Sequence, residues 1–281
     1  MGELAAMPGL WLAIAAVVGL CVGSFLNVVI HRLPKMLEAG WRAECAELNG
    51  TEVPDAPRYN LLTPRSACPA CGHPIGALQN IPVLSWVLLR GKCANCSAPI
   101  SARYPIVEIA GALLAAAAAW RFGATPQAIA IAVLLWTLLA LAVIDIDTQL
   151  LPDNLTVPLL WAGLIVNQFG IVVPFADAFW GAIAGYLSLW SIYWVFKLVT
   201  GREGMGYGDF KLLGALGAWL GWQMLPVVIL LSSVVGAVVG IGMILIRGRD
   251  RSIPIPFGPY LAGAGVLAVF FGKTLVRIYF G

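Results

Sequence analysis

The chain has 281 residues, of which 60% are hydrophobic and 11% are charged, and its formal net charge is +3. A soluble protein of this length carries about 25% charged residues to cover its surface. The composition therefore excludes a soluble enzyme, a disordered chain, a small disulfide-rich secreted domain and a nucleic-acid-binding protein. It predicts a polytopic protein embedded in the lipid bilayer.

The predicted membrane helices are runs of about 20 residues with few or no charges, the length needed to cross a bilayer. The run 212–246 has 35 uncharged residues, which is too long for one ordinary span. Gly221, Gln223 and Pro226 lie near its middle and predict a division into two helices. We therefore expect an all-α polytopic membrane protein with about eight transmembrane helices. The predicted spans are 4–30, 105–120, 122–144, 154–176, 178–196, 212–246 as two helices, and 252–272.

The basic residues predict the orientation, because cytoplasmic loops of membrane proteins are enriched in Lys and Arg. With eight crossings, 14 Lys and Arg residues lie on the same side as segment 31–103, and 3 lie on the other side. This distribution predicts that segment 31–103 is cytoplasmic and that both termini are periplasmic. The 14 are Arg32, Lys35, Arg42, Arg58, Arg65, Arg90, Lys92, Arg103, Lys197, Arg202, Lys211, Arg247, Arg249 and Arg251; the 3 are Arg121, Lys273 and Arg277.

Segment 31–103 is the only candidate for a polar domain, and a domain this small usually needs a cross-link. It contains two Cys-x2-Cys pairs, and the sequence CPACGHPI from Cys68 is similar to CANCSAPI from Cys93. Four thiolates at this spacing are typical of a closed tetrahedral Zn²⁺ site. Two disulfides or free thiols are the alternative, but a reducing cytoplasm disfavours disulfides, and His73 could replace one thiolate. We predict structural zinc bound by Cys68, Cys71, Cys93 and Cys96.

Several acidic residues lie at the ends of predicted spans, where a charge is costly and is therefore a candidate functional group. Asp145 and Asp147 end the third span, and Asp209 follows three alternating glycines before the sixth. Residues two apart on a helix face nearly opposite ways, so only one of the pair can meet Asp209. We expect this to be Asp145, which is nearer the apolar run, while Asp147 is a solvated helix-end residue. Asp153 is interpreted mainly as the N-cap of the fourth span.

Two acids held close together predict a specific chemistry. One carboxylate acts as a base that activates water, and the other, kept protonated, polarises an amide carbonyl. This is the chemistry of an aspartic protease. The glycines before Asp209 permit an irregular backbone that is tolerated at this depth only where it is buried or lines water.

Together these features resemble the bifunctional type IV prepilin leader peptidases/N-methyltransferases, which are membrane aspartic proteases of the Gly-x-Gly-Asp type. The resemblance covers nearly the whole chain and includes the paired Cys-x2-Cys segment. Its other motifs are GSFLNVVIHRLP from Gly23, NIPVLSW from Asn80, RYPIVE from Arg103, DIDTQLLPD from Asp145, GYGDFK from Gly206 and IPFGP from Ile255.

The resemblance implies the activity and the site residues. Members cleave the leader peptide of prepilins and pseudopilins at the cytoplasmic face of the bacterial inner membrane. They then methylate the new N-terminal residue, usually Phe, with S-adenosylmethionine. The catalytic acids of the family correspond to Asp145 and Asp209. For the methyl donor, the expected contacts are Gly91, within Arg90-Gly91-Lys92, and Glu108, for which a structural salt bridge is the alternative.

The resulting domain organisation has three parts. Residues 1–30 form the first transmembrane helix, 31–103 form a cytoplasmic zinc-knuckle domain associated with methyl transfer, and 104–281 form a seven-helix peptidase domain. A secondary transporter is one alternative function, but it predicts inverted repeats and acids near the bilayer midplane. A zinc-knuckle scaffold of a secretion machine is another, and it leaves the glycine-rich approach to Asp209 unexplained.

Overall fold

The computed structural model describes residues 7–51, 58–247 and 255–280. Within these ranges the regular structure is helical, with two isolated β-bridges and no strand, which confirms the all-α class. The chain divides into two compact units, Met1–Ala124 and Thr125–Gly281. Arg249 and Arg251, used above for the orientation, lie outside the described residues, as do the first few residues of the first and last predicted spans.

The described residues of the first unit form three helices, α1 (Pro8–Leu48), α2 (Leu84–Leu88) and α3 (Arg103–Phe122), and a short 3₁₀ helix, Ala77–Asn80. Close glycine contacts join α1 to α3. A Cβ atom on Gly19 would lie 2.6 Å from the carbonyl oxygen of Gly111, and one on Gly23 would lie 2.7 Å from the Cα of Glu108. Small residues allow membrane helices to approach this closely, and packing then replaces the hydrophobic effect as the source of stability.

Helix α1 is longer than predicted, because it continues 18 residues past residue 30 to Leu48. Arg32, Leu33 and Pro34 of the added part are buried, and the residues after them are mostly exposed. An ion pair joins Arg42 to Glu38, one turn apart, at 2.6 Å. The prediction stopped where the charges begin, but a charged sequence that is rich in helix formers can extend a helix beyond the bilayer.

In the part of the second unit that the structure describes there are six α-helices: α4 (Pro126–Thr148), α5 (Asp153–Gln168), α6 (Phe175–Thr200), α7 (Tyr207–Leu220), α8 (Leu225–Arg247) and α9 (Gly258–Phe280). Helix α7 lies at its centre, and Phe210, Leu213 and Trp219 are fully buried. It packs closely on α6, where Cβ atoms on Gly181 and Gly217 would each overlap the carbonyl oxygen of the other residue.

Side chains and glycines set the helix ends. Helix α4 begins later than predicted because the Oγ1 of Thr125 accepts a hydrogen bond from Ala128 N–H, and it continues through Asp145 to Thr148. Helix α5 ends at Gln168, well before the predicted 176, because the buried Asn167 side chain accepts from Val172 and Val173 N–H.

The uncharged run 212–246 is divided into two helices at Gly221, as predicted. Helix α7 ends at Leu220, Gly221 adopts φ +83°, and α8 begins at Leu225 after a 3₁₀ turn, Trp222–Met224. Five of the described helices are long and apolar enough to cross a membrane. Helices α5 and α7 have only 16 and 14 residues. A multi-pass membrane protein is thus supported, and the count of eight spans stays a prediction.

Candidate active site and cysteine cluster

The two aspartates predicted to act together are both buried in the second unit. Asp145 lies in the last turn of α4 and is 5% exposed, and Asp209 lies in the first turn of α7 and is 6% exposed. Their carboxylates interact electrostatically. Asp147, two residues after Asp145, is exposed. The structure therefore buries one member of the α4 pair beside Asp209 and leaves the other on the surface.

The N-terminus of α9 holds the Asp145 carboxylate. Gly258, the first residue of α9, donates its N–H to Asp145 Oδ2 at 2.9 Å. The first N–H groups of a helix have no partner within it, and the helix dipole favours an anion there. A Cβ atom on Gly258 would lie 2.7 Å from the same oxygen, so the contact depends on glycine.

Leu151 lies against two glycines, one beside each of the two acids. A Cβ atom on Gly208, which precedes Asp209, would lie 2.6 Å from Leu151 Cβ, and one on Gly258 would lie 2.9 Å from Leu151 Cδ2. The Asp209 N–H bonds to the Gly206 carbonyl at 3.2 Å and closes the first turn of α7. Of the three glycines before Asp209, Gly208 is the one that Leu151 approaches, whereas Gly204 and Gly206 lie in the irregular backbone before α7.

Gly258 and Leu151 were not predicted as site residues. The signal for Gly258 was present in Phe257-Gly258-Pro259, because proline favours the first turn of a helix and glycine permits a close contact beside it. Leu151 carries no local signal, because an apolar residue between two acids is indistinguishable from an ordinary core residue until the fold is known.

Asp153 does not have the predicted capping role. The N-cap of α5 is Pro152, and Asp153 is the first helical residue, with no capping hydrogen bond from its side chain. Its carboxylate instead accepts two hydrogen bonds from Lys211 Nζ, at 2.6 and 2.7 Å. This partly exposed ion pair joins the starts of α5 and α7 two residues beyond Asp209.

Four of the six cysteines in the first unit, Cys68, Cys71, Cys93 and Cys96, form one cluster. Their Sγ atoms all lie within 4.8 Å of one another, and none of the chain's six cysteines forms a disulfide. Cys68 is buried, and the other three are partly or fully exposed. This arrangement fits a closed four-thiolate metal site and excludes the disulfide alternative. His73 does not belong to the cluster, and Cys21 and Cys45 lie elsewhere.

The repeat seen in the sequence is a structural repeat. Cys68 N–H bonds to the His73 carbonyl at 2.9 Å, and Cys93 N–H bonds to the Ala98 carbonyl at 2.8 Å. The turn in each knuckle needs a left-handed residue, Gly72 at φ +68° in the first and Ser97 at φ +58° in the second. The two knuckles are therefore built from equivalent hydrogen bonds 25 residues apart.

The backbone of the knuckles favours ionised thiols. The N–H groups of Cys96 and Asn95 point at the Cys93 sulfur and lower the pKa of Cys93 to about 6. The His73 N–H and then the Asn95 side chain lower the pKa of Cys71. Thiolates are the form that binds Zn²⁺, so Cys71 and Cys93 favour a bound cation. At Cys96 the effect of the Ala98 N–H is outweighed by the hydrogen bonds with the neighbouring thiols, which raise the pKa to about 11.

The two residues predicted to contact the methyl donor both adjoin α2. Gly91 is buried at φ +66°, and a Cβ atom on it would lie 2.9 Å from the Trp86 ring. Glu108 is 8% exposed, and its Oε2 accepts a hydrogen bond from Val83 N–H, just before α2, at 2.7 Å. Each therefore has a structural contact in the first unit, and for Glu108 the partner is a backbone amide rather than the expected salt bridge.

Comparison with known families and proteins identifies the chain. The model described as "Bacterial Peptidase A24 N-terminal domain" matches residues 17–122, and that of the "Type IV leader peptidase family" matches residues 132–241. The chain belongs to the type IV leader peptidase family. This confirms the resemblance recognised in the sequence and disfavours the transporter and scaffold interpretations. The two matches lie on either side of the division between the two compact units.

Relatives in this family are similar over nearly the whole chain. A "Prepilin leader peptidase/N-methyltransferase" of Aeromonas salmonicida (strain A449) is 57% identical over 97% of this chain and 95% of the relative. Proteins of the same name from Pseudomonas aeruginosa and Burkholderia pseudomallei (strain K96243) are 56% and 53% identical. They cover 98% and 100% of this chain and 96% and 92% of their own length. No solved structure matches the chain.

Proposed function

We propose that this family member removes the leader peptide of type IV prepilins or pseudopilins and then methylates the new N-terminal residue, usually Phe. The observation that carries the first activity is the burial of Asp145 and Asp209, from two different helices, at one site beside Gly258. The names of the relatives, which cover both activities, support the same assignment. The distribution of basic residues supports a site at the cytoplasmic face of the inner membrane.

In the proposed peptidase reaction the two aspartates take different roles. Asp145 accepts the Gly258 N–H, which stabilises an ionised carboxylate, so we assign Asp145 as the base. It takes a proton from water as the water oxygen attacks the scissile carbonyl carbon. Asp209, protonated, donates its proton to the carbonyl oxygen. As the tetrahedral intermediate collapses and the C–N bond breaks, the proton held by Asp145 passes to the leaving amine. One hydroxyl of the intermediate returns a proton to Asp209, which leaves a carboxylic acid product and restores the starting protonation states.

The methyl transfer is proposed for the part of the first unit that carries the cysteine cluster, residues 58–102, which we call the lobe. Cys68, Cys71, Cys93 and Cys96 would hold one structural Zn²⁺, which stabilises the lobe. S-adenosylmethionine, when bound, supplies an electrophilic methyl group. The chain's own contribution is to position the neutral α-amine of the cleaved pilin against it, at the edge formed by Gly91 and Glu108 around α2. An amine with a pKa near 8 is partly neutral at cytoplasmic pH, so positioning suffices without a strong base.

The decisive experiment incubates the purified protein with a candidate prepilin and S-adenosylmethionine and follows the pilin by mass spectrometry. Loss of the leader and gain of one methyl group are read from the same spectrum. We expect Asp145→Asn and Asp209→Asn each to lower the cleavage rate by about 10³-fold or more, because an amide can act neither as base nor as acid.

Asp147→Asn is the matched control, since it makes the same change two residues away on the exposed side of α4. It is expected to retain cleavage. Full cleavage by either buried-site variant would refute the aspartate pair, and an inactive Asp147→Asn beside an active Asp145→Asn would reverse the assignment on α4.

A further inference from the structure

The cysteine-bearing lobe of the first unit exposes an apolar surface. On α2, Leu84, Val87 and Leu88 have exposed fractions of 51%, 56% and 73%, and their spacing places them on one face of the helix. Leu78, in the preceding 3₁₀ helix, is 82% exposed. Residues 77–89 contain no charged side chain. We call the surface formed by Leu78, Leu84, Val87 and Leu88 the apolar face.

Hydrogen bonds fix this face beside a membrane helix. Val83 N–H, immediately before α2, bonds to the Glu108 side chain in the second turn of α3. Trp86 Nε1, within α2, donates to the Ile100 carbonyl at 3.2 Å, three residues before α3 begins. At 1.5 Å per residue, Glu108 is about 8 Å along α3 from Arg103. Helix α2 therefore lies alongside the first two turns of a helix long and apolar enough to span the bilayer.

The chain that follows α2 is basic. Arg90 and Lys92 are both exposed and follow the apolar face within four residues of Leu88. Segments that lie in the interfacial layer of a bilayer combine an exposed apolar face with neighbouring Lys and Arg, which anionic headgroups attract. Four large apolar side chains exposed to water are unusual on a domain this small and indicate an interaction surface.

We propose that the apolar face is a lipid-binding surface, which inserts between the headgroups of an anionic bilayer while Arg90 and Lys92 contact the lipid phosphates. The lobe is then held against the membrane, close to where the first turns of α3 enter it. The inference rests on the contacts of the first unit and is independent of either proposed activity.

The test places the photo-crosslinking residue benzoylphenylalanine at Leu78 or Leu88 in the full-length protein, reconstituted in nanodiscs that contain phosphatidylglycerol. After irradiation, mass spectrometry identifies what has been crosslinked. We expect lipid adducts at both positions. Leu62 is the matched control, because it is also 82% exposed and lies in the same lobe outside the apolar face. It is expected to give a much lower lipid yield, because a side chain outside the acyl boundary meets mainly water.

A second variant checks that insertion of the apolar face produces the adducts. Leu84→Glu together with Val87→Glu should lower the lipid adducts at Leu78 several-fold, with the bound zinc content unchanged as evidence that the lobe is folded. Arg90→Gln with Lys92→Gln should lower them in phosphatidylglycerol but not in a neutral phosphatidylcholine disc. Adducts to residues of the second unit in place of lipid, or equal lipid yields at Leu62 and Leu78, would overturn the proposal.

Discussion

The contact between Gly258 and Asp145 in the candidate active site requires that residue 258 have no side chain. The Asp145 carboxylate is turned toward the start of α9 by a 2.9 Å hydrogen bond, and there is no space for a side chain on Gly258. The need for glycine here is steric. Gly258 does not have the left-handed backbone conformation that excludes other residues, so it is the close contact with Asp145 that leaves no room for a side chain.

Gly258→Ala is therefore expected to impair cleavage while leaving the protein folded. The added Cβ would displace the Asp145 carboxylate from its hydrogen bond, and a displacement of this size costs about 10- to 100-fold in rate. Leader removal by the purified variant measures the effect. Gly263→Ala, on the same helix with no atom within 4 Å of its would-be Cβ, is the control and should cleave at the normal rate. Normal cleavage by Gly258→Ala would show that this contact does not position Asp145.

The two cysteine knuckles differ at one residue in a way that affects stability. Both turns need a left-handed residue; the first has Gly72 and the second has Ser97. A side chain in this conformation costs about 1 kcal/mol relative to glycine.

Ser97→Gly should accordingly stabilise the second knuckle by about 1 kcal/mol, and Gly72→Ser should destabilise the first by a similar amount. The measurement is the rate at which a chelator removes zinc from the purified protein, which should fall about fivefold for the former and rise about fivefold for the latter. Gly76→Ala, at a residue with negative φ, is the control and should change little. Equal rates of zinc removal from all three variants would contradict the expected strain of a side chain at the left-handed position of each knuckle.

At the scale of helices, the hydrophobic pattern predicted which segments are helical better than where each helix ends. The break at Gly221 was predictable because a glycine, a polar residue and a proline interrupt a long uncharged run. The end of α5 was not, because Asn167 acts through hydrogen bonds to Ala218 in α7 and to the loop that follows α5. The continuation of α1 to Leu48 was missed because a count of apolar residues gives the length of the span rather than the length of the helix.

The packing of α6 on α7 is the closest helix contact in the second unit and should be sensitive to small changes. Gly181→Ala or Gly217→Ala would place a methyl group on the facing carbonyl oxygen and force the helices apart. We expect each to lower the free energy of unfolding by about 1–3 kcal/mol, and with it the thermal midpoint in detergent. Gly242→Ala on α8, whose would-be Cβ has no neighbour within 4 Å, should be neutral or slightly stabilising. If neither Gly181→Ala nor Gly217→Ala changed the thermal midpoint, α6 and α7 could move apart without any loss of stability.

At the scale of the whole molecule, the two candidate sites lie in different compact units, the cysteine cluster in the first and the buried aspartates in the second. Both sets of side chains were predictable, because thiols at knuckle spacing and acids in an apolar sequence are rare without a function. What could not be predicted is the set of residues that hold them. Leu151 is brought to the aspartates by the tertiary fold and carries no distinctive chemistry of its own. For Gly258 the sequence indicates a helix start, but it does not show that Asp145 is the partner.

The separation of the sites leads to a prediction about the two activities. Replacing both Cys68 and Cys71 by Ser removes half of the thiolates, and the binding energy of such a metal is folding energy for the lobe around it. We expect the variant to bind no zinc by elemental analysis, whereas the unmodified protein binds one ion per chain. Because Asp145 and Asp209 belong to the other unit, leader removal should stay within about threefold of normal, while the methylated fraction of the cleaved pilin should fall at least about tenfold.

Cys45→Ser controls for the loss of a thiol as such, since Cys45 is exposed on α1 and lies outside the cluster. It should keep zinc, cleavage and methylation. Cleaved but unmethylated pilin from the Cys68, Cys71 variant places methyl transfer in the first unit. Methylated pilin at normal yield would separate methyl transfer from the metal lobe. Loss of both activities, with the thermal midpoint of α4–α9 retained, would mean that the peptidase site needs the lobe as well, because the second unit would then be folded and yet unable to cleave.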